Sequence, residues 1–131
     1  MTNYYYKVCI VDEDGLATSS ACPAKGKMVY RVGNRTMARR GYGPLCVFKD
    51  KRRVSRYITY VMPPGNCEVK VFECTAENVR EASQDCKAVW VPGVDLWVPE
   101  ASLHGFELPK GTLLADAVTL TRELTEEELS S

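Results

Sequence analysis

Apolar and polar positions fall into short runs along this chain, separated by clusters of Gly, Pro, Asn and Asp, and that punctuation predicts strands more than helices. Tyr4 to Val11 is rich in aromatic and β-branched residues and stops at Asp12-Glu13-Asp14-Gly15, so it reads as a first strand. Ala17 to Gly26 is small and polar and reads as a loop. Met28 to Val32 is a second, short strand halted by Gly33-Asn34. Arg35 to Gly43 shows no hydrophobic period and reads as a mobile basic loop. Pro44 to Phe48 is an apolar run of strand length, and Cys67 to Cys74 alternates as a strand with one wet face does.

One segment has a helical period. Val54, Tyr57, Ile58 and Val61 stand at i, i+3, i+4 and i+7 behind Asp50, an N-cap residue, and Pro63-Pro64-Gly65 ends the run. Beyond it, Ala76 to Asp85 is polar and acidic and suits a short helix. Lys87 to Val98 suits two short strands around Pro92-Gly93, and Leu113 to Leu124 a terminal strand or short helix. The elements add up to an α+β fold: a single domain over residues 1–124, with a curved, largely antiparallel sheet of about six strands and one main helix from Asp50 to Val61. Residues 125–131 read as a frayed acidic tail.

Length and composition agree with one globular domain: 131 residues, 45% hydrophobic and 26% charged, with 9 Gly and 7 Pro. No apolar run approaches the ~18 residues of a membrane-spanning helix, and Met1 to Lys7 lacks the basic and apolar regions of a signal peptide. The expected location is therefore cytoplasmic, in the protein's own cell or a host's. The six cysteines are expected as reduced thiols in that setting.

Charge changes the picture more than composition does. The formal net charge is zero. Residues 25–56, however, hold eleven basic side chains against Asp50 alone, whereas residues 57–131 hold five basic and thirteen acidic ones. A balance of +10 facing one of −8 concerns partners and association rather than fold.

Catalytic and metal chemistry find little purchase. No two cysteines form a C-x-x-C pair; Cys67 and Cys74, seven apart, are the closest. The one histidine, His104, sits in a loop-like Ser102-Leu103-His104-Gly105 stretch, and no phosphate-loop pattern is present. The sequence thus names no catalytic residue, metal ligand or cofactor, and it leans away from an enzyme. The positive case is the basic segment. Arg35, Arg39 and Arg40 beside Tyr42, followed by Lys51, Arg52, Arg53 and Arg56 along the predicted helix, combine phosphate-seeking cations with a stacking aromatic.

Five patches in order, Tyr5-Tyr6-Lys7-Val8, Tyr30-Arg31-Val32-Gly33, Gly43 to Phe48, Val71-Phe72-Glu73-Cys74 and Leu108 to Asp116, span nearly the whole chain. In them the chain resembles a loosely defined family of small phage, prophage and viral proteins with no assigned activity. That resemblance implies a small intracellular protein acting on a host. A more distant likeness is to the ADP-ribosyltransferase fold, onto which Tyr30, Phe48 to Val61 and Glu73 can be laid; its first-strand His or Arg has only Lys7 in its place.

The expected function is non-catalytic binding, with the basic loop and helix contacting nucleic acid or an acidic partner. Two alternatives stand beside it. One is a degenerate ADP-ribosyltransferase-like enzyme with Tyr30 and Glu73 in one cleft. The other is an inhibitor whose acidic face, drawn from Glu68, Glu77, Glu81 and Asp85, mimics phosphate to a nucleic-acid-binding protein. Trp90 and Trp97 could anchor such an interface, but at strand spacing they read as core.

Overall fold

The structure, a computed structural model, describes residues 3–19, 28–38, 45–59, 65–80, 88–91, 96–99 and 112–130. Its centre is set by β1 (Tyr5–Val11), whose side chains alternate between two faces and are apolar on both except at Lys7. Every residue from Lys7 to Val11 is buried accordingly. An antiparallel strand with two apolar faces needs cover on both, and the rest of the fold supplies it.

On one edge β1 meets β2 (Ala17–Ser19) through the Asp12–Leu16 turn, where Asp12 Oδ1 accepts from the Asp14 and Leu16 amides at 3.0 and 2.9 Å. Beyond β2 lies β3 (Val29–Tyr30), followed in the chain by β4 (Arg35–Met37) and β5 (Leu45–Phe48). β5 touches the same edge of β1 lower down, Phe48 opposite Tyr6. After helix α1 (Lys51–Ile58), β6 (Glu68–Glu77) pairs along the other edge of β1, from Tyr5 opposite Cys74 to Val11 opposite Glu68. A separate hairpin joins β7 (Ala88–Val91) to β8 (Leu96–Pro99), with Trp90 opposite Trp97, the two strands expected around Pro92-Gly93. Then β9 (Thr112–Ala115) pairs with β5, and β10 (Ala117–Glu123) lies between β6 and β4. All pairings are antiparallel.

The main sheet thus runs β3-β2-β1-β6-β10-β4, with β5 and β9 branching from it. Its curvature has a covalent cause. β3 and β4 stand at opposite ends of that order, yet only Arg31 to Asn34 separates them in the chain, so the sheet must curl until its ends meet. Gly33 makes the turn at φ +87°, a backbone shape that favours glycine, and its amide donates to Leu120 O at 2.8 Å. The inside of the curl is one apolar cluster that includes Cys9, Val11, Tyr30, Val47, Phe72, Cys74, Val118 and Leu120.

The outside of β1 and β6 carries a second cluster, Val8, Phe48, Val54, Val71 and Leu124, and α1 covers it. Asp50 caps α1 by accepting from the Arg53 amide at 2.9 Å, Val54 is fully buried, and the Tyr57 ring lies 5.1 Å from that of Phe48. A bulge decides which cluster the end of the chain joins. Leu120 and Leu124 would share a face in a regular strand. One extra residue, Thr121, shifts the register, so Leu120 points into the curl and Leu124 to the helix-covered side.

The single domain, its α+β class and its predominantly antiparallel curved sheet are as the sequence indicates, and several elements differ. Ala17–Ser19 is strand rather than loop, and Arg35–Met37 is strand rather than the start of a mobile loop. β6 runs through Ala76 to Glu77, where a helix is expected, because Ala76 and Glu77 pair with Val118 and Ala117. Helix α1 stops at Ile58, and Val61 lies outside the described residues. The tail is no frayed end. It forms α2 (Glu126–Ser130), closed by a capping box in which the Thr125 amide donates to Glu128 Oε1 at 3.0 Å and the Glu128 amide to Thr125 Oγ1 at 3.2 Å. Among the described residues no helix is long and apolar enough to cross a membrane.

Candidate functional site

Five of the eight predicted contact residues are described, and they do not share one open face. Arg39, Arg40 and Tyr42 lie outside the described residues. Arg35 stands on β4 and is taken by a carboxylate: its Nε and Nη2 donate to Glu77 at 2.5 and 2.8 Å, a bidentate fork. That hydrogen bond holds the Glu77 carboxyl below the usual carboxylate range. Lys51 turns to α2, where its Nζ donates to Glu128 O at 3.1 Å. Neither is an open contact of the kind the sequence suggests, because each has a partner from the later, acidic part of the chain.

Arg52, Arg53 and Arg56 remain together on α1. Arg52 and Arg56 are exposed and four residues apart, hence stacked one turn above the other on the side opposite buried Val54. Arg53 is half-buried beside them, and exposed Lys49 lies just before the cap. None of these four makes an ion pair among the described residues. Asp50 occupies the Arg53 amide at the start of the helix, so an anion would meet side-chain cations here and not that backbone donor.

Elsewhere Arg31 is likewise exposed and in no ion pair among the described residues, whereas three further cations are matched. Lys70 meets Glu123 at 3.3 Å and Glu68 at 3.9 Å; Arg80 meets Asp116 at 3.1 Å; Arg122 meets Glu128 at 2.6 Å and Glu73 at 3.5 Å. The Glu128 carboxyl is held low first by the Thr125 amide and then by Arg122. The acidic face therefore has its Glu68 and Glu77 carboxylates engaged by cations, while Glu81 and Asp85 lie outside the described residues. The transferase-like pair is divided by the sheet. Glu73 alternates with inward-facing Cys74 and reaches Arg122 outside, whereas Tyr30 is packed within the curl.

Sequence reasoning passed over one buried polar group, Lys7. Its side chain is enclosed in the curl, donates from Nζ to Cys46 O at 2.7 Å, and lies 5.1 Å from the centre of the Tyr30 ring. The available signal was a lone lysine on the inward repeat Tyr5, Lys7, Cys9, Val11. Nearby, burial pushes the Cys9 thiol up to about 11 and the Cys74 thiol up to about 12, although Lys7 opposes both shifts. At neutral pH these thiols are protonated and act as small apolar groups rather than nucleophiles. No group of three or more His, Cys, Asp or Glu side chains among the described residues is placed to hold a metal. His104 and the side chains of Trp90 and Trp97 fall outside them.

No protein-family model, curated protein or solved structure matches the chain.

Proposed function

We propose that this chain is a non-catalytic binding protein whose α1 face, Lys49, Arg52, Arg53 and Arg56, contacts the phosphate backbone of nucleic acid. One observation carries the reading: these four cations stand together on and just before one helix without carboxylate partners among the described residues, whereas Arg35, Lys70, Arg80 and Arg122 each meet a carboxylate. Arginine suits the task because its planar fork meets phosphate oxygens two at a time.

Nucleic acid is favoured over an acidic protein by what the face lacks. Protein interfaces are built around apolar or aromatic anchors. The apolar residues of α1 are committed to the core: Val54 is buried, and Tyr57 and Ile58 pack on the same cluster. A phosphate backbone asks only for cations in register. The acidic-mimic alternative is less favoured because Glu68 and Glu77 are engaged, and the transferase-like one because Glu73 and Tyr30 occupy opposite sides of the sheet.

The test is the salt dependence of binding to a labelled DNA duplex, followed by fluorescence anisotropy. Four phosphate contacts predict a slope of log K against log salt of about −3 to −4, a loss of roughly a hundredfold between about 50 and 200 mM salt. No binding at the lower salt, or a slope near zero, overturns the reading. Equal competition by polyglutamate of matched charge overturns the nucleic-acid assignment in favour of an acidic protein.

A further inference from the structure

The lead-in to α1 has an aromatic neighbour at the start of β1. Phe48 lies opposite Tyr6 in the antiparallel pairing of β5 with β1, so the residues after Phe48 run beside those before Tyr6. Lys49 and Asp50 therefore stand alongside Tyr5 and Tyr4. Two interactions of Asp50 tie this corner to the helix. It accepts from the Arg53 amide at 2.9 Å. It also acts on Tyr6, whose phenol is raised above its ordinary value first by burial and then by Glu73 and Asp50.

Tyr4 differs from the aromatic side chains around it. Tyr6 packs into the cluster that α1 covers, and Tyr57 lies against Phe48 there. Tyr5 packs on the inside of the curl. Tyr4 comes immediately before β1, two residues from Tyr6, and is 49% exposed, the one exposed aromatic among the described residues. Its ring adds little to the core and stands in water beside the lead-in to a cationic helix. The carboxylates of this corner are engaged, Asp50 in the helix cap and Glu73 with Arg122.

We infer that the α1 face takes single-stranded rather than duplex nucleic acid, with Lys49, Arg52, Arg53 and Arg56 following the phosphates and the Tyr4 ring stacking on a base. The inference rests on the reading given under Proposed function and names the form of nucleic acid that site prefers. In a duplex the bases stack on one another and are closed to a side-chain ring, whereas an unpaired strand can offer a base's π-face. Phosphate contacts alone favour the duplex, whose charge is denser. A preference for the single strand is therefore the mark of stacking. A lone ring suits that task and falls short of the clustered apolar core around which a protein interface is built.

The experiment follows the anisotropy of one labelled DNA sequence, as a single strand and as its duplex, with the full chain as wild type, Y4A, Y4L and Y4F. Wild type should bind the single strand about fivefold more tightly than the duplex at about 100 mM salt. Y4A and Y4L should each lose at least about fivefold on the single strand, while Y4F, which keeps the ring, stays within about twofold of wild type. On the duplex every variant should stay within about twofold. The loss in Y4A should persist at about 300 mM salt, because stacking releases no counterions. A duplex bound as tightly as the single strand, an unchanged Y4A, or equal losses on both forms each overturns the inference and leaves the phosphate reading standing. Absence of binding to either form overturns that underlying reading instead. Should circular dichroism show Y4A misfolded, Y4L, apolar but without a π-face, carries the comparison with Y4F.

Discussion

The paired strands β6 and β10 carry six charged side chains and helix α1 four, and the two regions treat them in opposite ways. On the strands, cross-strand neighbours of opposite sign meet: Glu73 sits opposite Arg122, and Lys70 reaches Glu123. On α1 the neighbours three and four residues apart are arginines of the same sign. Like charges at that spacing repel and cost a few tenths of a kcal/mol per pair. A protein gains no stability by keeping Arg52 and Arg56 stacked without a partner. The difference teaches that β6 and β10 pair charges across strands, whereas α1 leaves its arginines without a carboxylate partner among the described residues.

The largest effect expected from disturbing this contrast is loss of the platform itself. Leu124→Ala should lower unfolding free energy by about 2–5 kcal/mol in denaturant titrations, because its side chain is buried under α1 beside Val54. Leu120→Ala, buried on the opposite face by virtue of the Thr121 bulge, should cost a similar amount. A small cost for the first and a large one for the second would mean that α1 is not seated on the sheet as described.

Next comes the charge on the helix. Arg52→Gln, Arg53→Gln and Arg56→Gln together should weaken duplex binding at least tenfold and reduce the salt slope by about three, since each phosphate contact contributes about one. Thermal stability should hold or rise slightly as the repulsion is relieved. The reverse pattern, lost stability with retained affinity, would move these arginines to the structural class.

Arg122→Gln sharpens the contrast from the other side. It should leave duplex affinity within about twofold and lower Tm by a few degrees at most, because exposed pairs are worth little each. The smallest effect is on pH. The Glu77 and Glu128 carboxyls titrate below their ordinary 4.5 in the folded chain. Their contribution to stability is complete above about pH 4.5 and is lost as pH falls through the lowered folded values. A Tm profile over that range should be flatter in E128Q than in wild type, and an unchanged profile would show that Glu128 does not fasten α2.

Much of the fold was legible locally. Tyr5–Val11, Leu45–Phe48, Asp50 with its helix, and the alternating β6 follow from residue type and period. Ala17–Ser19 and Arg35–Met37 were not, since three-residue strands have no period of their own and exist because β1 and β10 offer them an edge. The tail illustrates the same limit from the helical side. Its capping signal, Thr125 followed by Glu128, is visible in the chain, but the surface on which Leu129 rests is not.

For the site, the sequence alone determined that residues 25–56 are rich in arginine and lysine and that five of them stand on or just beside one short helix. Only the tertiary structure decided which cations keep a solvent-facing role, because pairing across strands joins residues such as Arg35 and Glu77 that lie 42 positions apart. Charge is a property of a residue; whether it is matched is a property of the neighbours that folding brings within a few ångströms.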